Sequence, residues 1–247
     1  MDHGPKPPCF QGIEGLESAM DHSSPLYDVV GLGSAVLDIL TLVDQFPTSE
    51  GVQQAEAIEM QGGGPVATAL VALARLGART AMLAVVGDYR RGQYLLQEFQ
   101  REGVATDQVV QQPNSSSFAA SIFVRKRDGA RTITYVPGSG SELVLTEGHR
   151  TVIQQASILH LNGRYFSACQ EAAEWMHQCG GRVSFDGGAH RYQPQLRQLV
   201  PNTDICIVAR DFAKQYTTTA DLERAATLLL GEGPELVVIT DGANGSW

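Results

Sequence analysis

From Asp28 onward, short β-branched apolar runs alternate with stretches in which apolar residues recur at helical spacing. The pattern predicts strands at residues 29–33 and 80–86 and helices at 65–76 and 91–102. The same alternation returns further on, with strands at 158–161, 182–185, 204–208 and 235–240 and helices at 170–177 and 221–230. Strand, helix, strand repeated in this way predicts an α/β chain, a Rossmann-like doubly wound, mostly parallel sheet with helices on both faces. Two segments break the rhythm. Residues 52–60 and 118–135 are extended in pattern, and the second contains Asp128-Gly129, a dipeptide suited to a hairpin turn that needs positive φ. Together they predict a small β layer at the sheet edge, a cover for a site.

The helix beginning after Gly64 is specified at both ends. Pro65 is tolerated at the first helical position, where the missing N–H has no intrahelical partner, and Gly77 can supply a left-handed residue past the last turn. The interior, residues 66–76, is almost wholly apolar, so burial on nearly every face is expected, with the N-terminus directed into the protein or a cleft.

Composition narrows the class. With 247 residues, 43% hydrophobic and 18% charged, the chain can bury a core. Its apolar runs fall short of the roughly 18 residues of a membrane span. The net charge of −9 is local: residues 1–60 carry ten acidic side chains against Lys6 alone, and the remainder is balanced, which offers no basic face for nucleic acid. Cys9, Cys169, Cys179 and Cys206 form no CxxC pair and the six histidines no HExxH, so reduced thiols, a cytoplasmic setting and no zinc are expected. Residues 1–27 carry neither a signal nor a transit pattern and are expected to form a disordered tail. Met1-Asp2-His3 recurs as Met20-Asp21-His22, which allows a start at Met20.

Three features carry chemistry. Gly31-Leu32-Gly33 after the first strand either admits close backbone approach of a ligand or simply eases the strand end; Val36 stands where a dinucleotide fingerprint needs a third glycine. Asp38, among Val36, Leu37, Ile39 and Leu40, sits near solvent or is held by a ligand, because burying it unpaired is costly. Gly62-Gly63-Gly64 opens the apolar helix, and its free amides and positive dipole end suit sugar hydroxyls or phosphate, unless it is only a flexible loop.

Taken in order, Asp28 to Asp38, Gly62 to Gly77, Val86 to Gly92, Phe185-Asp186 and Val238 to Gly245 resemble the motifs of the PfkB, or ribokinase-like, carbohydrate kinase family over about 220 residues. The resemblance implies an ATP- and Mg²⁺-dependent kinase acting on a sugar hydroxyl. In it Asp38 accepts hydrogen bonds from the substrate, Gly62, Gly63 and Gly64 present backbone to the sugar, and residues 38–61 and 117–136 form a lid. Asp186 would lie near the phosphates or their Mg²⁺, or else cap a turn before Gly187. Thr240, Gly242 and Gly245 correspond to the Thr-x-Gly-x-x-Gly turn of the ATP site. Family members often pair through the lid, so a homodimer is expected.

Three departures qualify the resemblance. Ala67 replaces the family's substrate-contacting asparagine; a further likeness, to the sulfofructose kinase subgroup, would set Arg164 before an anionic sugar substituent, although Val52 and Tyr135 stand where that subgroup is more polar and Arg164 is alternatively a surface residue. The Asn-x-x-Glu motif is absent around Ala209-Arg210-Asp211-Phe212, where Asp211 is either a substitute carboxylate or a helix-start residue. The Gly-Ala-Gly-Asp segment that supplies the family's base and anion hole does not occur, so the resemblance is to a C-terminally truncated kinase, residues 28–247, expected to be inactive. Two other classes are carried forward: a non-catalytic sugar-binding or partner protein, and an NAD-dependent Rossmann oxidoreductase resting on Gly31 and Gly33.

Overall fold

The computed structural model describes residues 25–247. Most of the expected tail and the Met20 start lie outside the described residues. The chain opens with β1 (Tyr27–Leu32), β2 (Val36–Val43), β3 (Ala57–Gly63), α1 (Pro65–Arg75), β4 (Thr80–Leu83), β5 (Val85–Gly87) and α2 (Arg90–Arg101). Next come β6 (Val104–Ala105), β7 (Val110–Gln112), β8 (Phe118–Arg125), β9 (Arg131–Val136), α3 (Glu147–Gln154), β10 (Ala156–Leu161) and α4 (Phe166–Gln178). The last part holds β11 (Arg182–Gly187), β12 (Ile205–Ala209), α5 (Arg210–Thr217), α6 (Leu222–Leu230) and β13 (Leu236–Thr240).

Seven strands form one parallel sheet in the order β13-β12-β11-β10-β1-β4-β6. The expected α/β architecture is therefore present. One face of the sheet carries Val30, Leu32, Leu159, Leu161, Val183, Phe185, Cys206 and Val208, packed with α4, α5 and α6 in the larger core cluster. On the other face, Val29, Met82, Val66, Leu70 and Phe99 form a second cluster under α1 and α2. Burial on both faces explains why the strands are continuous apolar runs rather than alternating ones.

A second, mixed sheet of order β3-β2-β8-β9 is the lid. Its hairpin turn is the one expected: Gly129 has φ 68°, and Asp128 accepts from the Arg125 guanidinium and from the Ala130 amide. Strand β3 differs from the pattern at residues 52–60. Its ladder with β2 runs only from Ala57 opposite Leu42 to Gly63 opposite Val36, because β2 supplies no partner beyond Val43.

Other expectations are corrected. Residues 80–86 are two strands, since at Ala84 the chain leaves the main sheet and β5 pairs with β7. Helix α1 buries one face, Val66, Ala67 and Leu70, while Leu76 is 84% exposed; it packs on one side of the sheet and meets solvent on the other. Gly31 and Gly33 do not admit a ligand. A Cβ on Gly31 would stand 2.6 Å from side-chain atoms of Val66 and Leu70, and one on Gly33 2.7 Å from Val66. These glycines let α1 lie close against β1, which removes the basis of the dinucleotide fingerprint.

Candidate functional site

In a parallel sheet all strands end at the same edge, and every candidate residue outside the lid falls there. The edge has two ends. Near β1 and β10 it is covered by the lid; at β12 and β13 it is open.

The lid end is built around Asp38, the third residue of β2. Its carboxylate is half-buried, and among the described residues nothing donates a hydrogen bond to it. Burial alone pushes its pKa above the ordinary carboxylate value of 3.8. The α-carbon of Gly63 lies directly beside it: a Cβ there would stand 1.9 Å from Asp38 Oδ2. Gly64, with φ 100°, starts α1, and a Cβ on it would meet the Ser34 carbonyl oxygen at 2.4 Å. Glycine is thus required at both positions, by the carboxylate in one case and by a backbone crossing in the other. Gly62 turns to the opposite face of the lid, where the nearest atoms belong to Glu98 and Leu95 of α2.

Beside this corner opens a cleft of about 550 Å³ whose walls include Ser34, Tyr135, Glu142, Asn162, Arg164 and Arg191. Asn162 follows β10, and its Oδ1 accepts the Arg164 amide at 3.2 Å. The Arg164 guanidinium lies between the rings of Phe118 and Tyr165, at 5.1 and 4.8 Å, with Nη1 3.4 Å from Glu142. Its Nε is buried without a hydrogen-bond partner. An anion entering here would compete with Glu142 for the guanidinium.

Asp186, the fifth residue of β11, stands midway along the edge. Burial raises its pKa, opposed by the nearby His160 and Arg191. It makes no hydrogen bond to a described residue, so it is not the turn cap that a strand-end aspartate can be. Its Oδ1 and the Arg191 side chain converge on Gly188, 3.7 and 3.2 Å from where a Cβ on that glycine would stand. His160, whose pKa burial lowers against the pull of Asp186, meets Ser184 Oγ at 3.1 Å on the adjacent strand.

The open end is made differently. Thr240 closes β13 and bridges Ser246, while Gly242 and Gly245 have φ 57° and 90° in the tight turn between them. Asp241 is ion-paired with Arg210 at 2.7 Å. Asp211, in the first turn of α5, accepts the His190 backbone N–H at 2.6 Å, so one of its oxygens is committed to holding the loop after β11. With strands about 4.8 Å apart, β13 lies four strands and roughly 19 Å from β1. Asp38, Gly63, Gly64 and Arg164 therefore share one end of the edge, Thr240, Gly242 and Gly245 the other, and Asp186 lies between.

Ser34, Glu142, Asn162 and Arg191 were not singled out from the sequence. The signal for Asn162 and Ser34 is their position: each lies within two residues of the end of a parallel strand, where side chains reach the ligand edge.

Among the described residues no group of three His, Cys, Asp or Glu side chains could hold a metal by itself. Mg²⁺ bound with a nucleotide needs fewer, commonly one or two carboxylates with phosphates and waters, and Asp186 fits as such a carboxylate. No described helix is long and apolar enough to cross a membrane.

A family model described as pfkB family carbohydrate kinase matches residues 27–247. An uncharacterized sugar kinase of Archaeoglobus fulgidus is 30% identical over 189 residues, 71% of this chain and 71% of that protein. The fructokinase of Vibrio alginolyticus is 23% identical over 220 residues, covering 83% of this chain and 70% of its own length. Among solved structures, Arabidopsis thaliana ribokinase complexed with ribose and ATP superposes with a TM-score of 0.74 at 21% identity. That match covers 90% of this chain and 74% of the ribokinase.

Proposed function

Because this chain belongs to the pfkB family of carbohydrate kinases, we propose that it forms the sugar-binding half and the start of the nucleotide-binding half of an ATP-dependent sugar kinase. One observation carries the reading: the half-buried Asp38 carboxylate, held against Gly63 and given no hydrogen bond by a described residue. A carboxylate left so keeps its acceptor sites open to water or to the hydroxyl donors of a polyol. Thr240 and the exposed backbone of the Gly242–Gly245 turn, whose Asn244 and Gly245 amides close the turn itself, suit a nucleotide, and Asp186 would hold its Mg²⁺. Magnesium there supplies charge neutralisation of the phosphates. Arg164, stacked and already paired with Glu142, braces the root of the lid and favours a neutral sugar over an anionic one.

Transfer to a hydroxyl also needs a base and donors for the charge developing on the phosphoryl group. The 247 residues contain no Gly-x-Gly-Asp segment, and Asp211 is engaged by His190. We therefore expect this stretch alone to bind sugar and turn it over slowly or not at all; the same observation keeps a non-catalytic sugar binder as the second reading. A coupled ADP-release assay with a monosaccharide panel separates them from the kinase: ordinary turnover by the 247-residue chain would overturn the expectation of inactivity. Absence of binding to any monosaccharide would overturn the sugar-site reading itself. The outer lid face exposes Ile39, Ile58 and Met60, which supports pairing of two copies through the lid. Light scattering that shows a monomer at every concentration contradicts the pairing.

A further inference from the structure

The motif Val86 to Gly92 lines no part of the cleft. It lies instead where the second hairpin of the lid, β8 and β9, joins the body of the protein. Strands β5 and β7 pair with Gly87 opposite Gln112; the first chain then turns into α2, and the second runs through residues 113–117 into β8. The Asp88 carboxylate reaches across to that second chain. Its Oδ2 accepts the Asn114 amide at 3.0 Å and its Oδ1 the Ser115 amide at 3.3 Å. The Gly87 amide donates to Ser117 Oγ at 2.9 Å, and a Cβ on Gly87 would run into the Ser115 carbonyl oxygen. The chain leaving β9 is stitched to the same segment: the Ser116 amide donates to Ser139 Oγ at 2.9 Å, the Ser139 amide to the Ser116 carbonyl at 3.0 Å, and the Ser141 amide to Gln112 Oε1 at 2.7 Å.

Both ends of the β8–β9 hairpin therefore hang on one root, while the β2–β3 hairpin is rooted separately, in β1 and α1. The two hairpins meet where β2 and β8 run parallel, with Asp38 opposite Ala120. Phe118, the first residue of β8, carries its ring to 5.1 Å from the Arg164 guanidinium at the cleft. We propose that Asp88 is a positioning residue, which sets β8 against β2 and so places Asp38 and Arg164 without touching a ligand itself; the inference rests on the sugar-binding reading above only for what the placed residues bind. A carboxylate suits the task because it accepts from two adjacent amides at once and donates to neither. The root segments 113–117 and 137–141 consist of Pro, Asn, Ser and Gly alone, so no large apolar side chain within them can take over the anchor.

The test joins amide hydrogen exchange to calorimetric titration of D-fructose and, separately, D-ribose, on the 247-residue chain and its variants at a temperature where each is folded. Asp88→Ala is expected to speed exchange at least about tenfold at Ser116, Ser139 and the β8 amides, while the amides of β10 and β11 stay within about threefold of wild type. Its affinity for a sugar that wild type binds should fall at least about fivefold. Asp88→Asn, which keeps one acceptor oxygen, should recover part of both effects. Exchange that quickens equally in both sheets with sugar affinity unchanged would make Asp88 a stabilising residue only and overturn the proposal, as would unchanged exchange at the lid root. If Asp88→Ala fails to fold, Asp88→Asn and Ser117→Ala, which each remove a single bond from the same root, decide the matter by the same two readouts. If wild type binds neither sugar, the sugar reading falls and the exchange pattern alone decides the anchor.

Discussion

At the lid end of the sheet edge, Asp38 is held half-buried with no hydrogen-bond donor, and Asp186 next along the edge is treated the same way. At the open end, Asp241 is taken up by Arg210 and Asp211 by the backbone of His190. Both carboxylates keep solvent access, so their donors come from water or from a ligand that displaces it. At the open end the protein supplies the donors itself. The contrast separates a site made from side chains, kept hungry for hydroxyls by packing, from one made from backbone, where paired side chains only shape a glycine turn.

The largest way to break this contrast is at Asp38. Replacing it with alanine removes hydrogen bonds to a charged acceptor worth about 1.5–3 kcal/mol each, so sugar affinity should fall about 100-fold in calorimetry. The thermal midpoint should not fall with it, because the lost group contributed desolvation cost and no bond. A loss of stability with unchanged sugar affinity would make Asp38 structural. Gly31→Ala is the packing counterpart: its Cβ would stand 2.6 Å from Val66 and Leu70, and α1 must shift. A loss of about 1–3 kcal/mol in urea unfolding is expected, with the ligand playing no part. At the open end, Gly245→Ala forces a side chain into φ 90° and should weaken ATP binding about tenfold without altering sugar affinity. If the sugar affinity moves with it, the two ends are not separable.

The pH response is smaller and has a definite sign. The folded pKa of Asp38 is raised by burial, so the folded state holds that proton more tightly than the unfolded chain. Its contribution to stability is fully present below the unfolded value of 3.8 and is lost as pH rises through the folded value. Asp38→Asn removes this loss, and its thermal midpoint should gain on wild type as pH rises above 3.8; a gap that narrows as pH rises contradicts the assignment. Sugar affinity runs the other way, falling as acid protonates the acceptor. Smallest of all is Arg210→Ala, whose partly exposed ion pair with Asp241 should change ATP affinity by no more than about threefold.

Most of the scaffold was legible in the sequence because strand and helix periodicities are local. Pro65 and Gly77 delimit α1 as expected, and Asp128-Gly129 turns the lid hairpin. What escaped depends on partners distant in the chain. The break at Ala84 exists because β5 exchanges one neighbour for another, and α3 was missed because the residue that closes the capping box with Thr146 is His149 rather than Glu or Gln. The glycines show the same limit. Gly31, Gly33, Gly63 and Gly64 look alike in sequence, yet the first pair accommodates a helix and the second a carboxylate and a carbonyl. The motifs placed Asp38 and Asp186 at the candidate site, but the register that sets Ala120 of β8 opposite Asp38 is encoded by no single segment.

The central claim is that the unsatisfied carboxylate of Asp38 is the anchor of a sugar site. Calorimetric titration of a monosaccharide panel into the wild-type 247-residue chain and into Asp38→Asn tests it most directly. The account predicts saturable binding of at least one neutral sugar by wild type and at least about thirtyfold weaker binding by the variant at a thermal stability no lower than that of wild type. Equal affinities in the two proteins would contradict it.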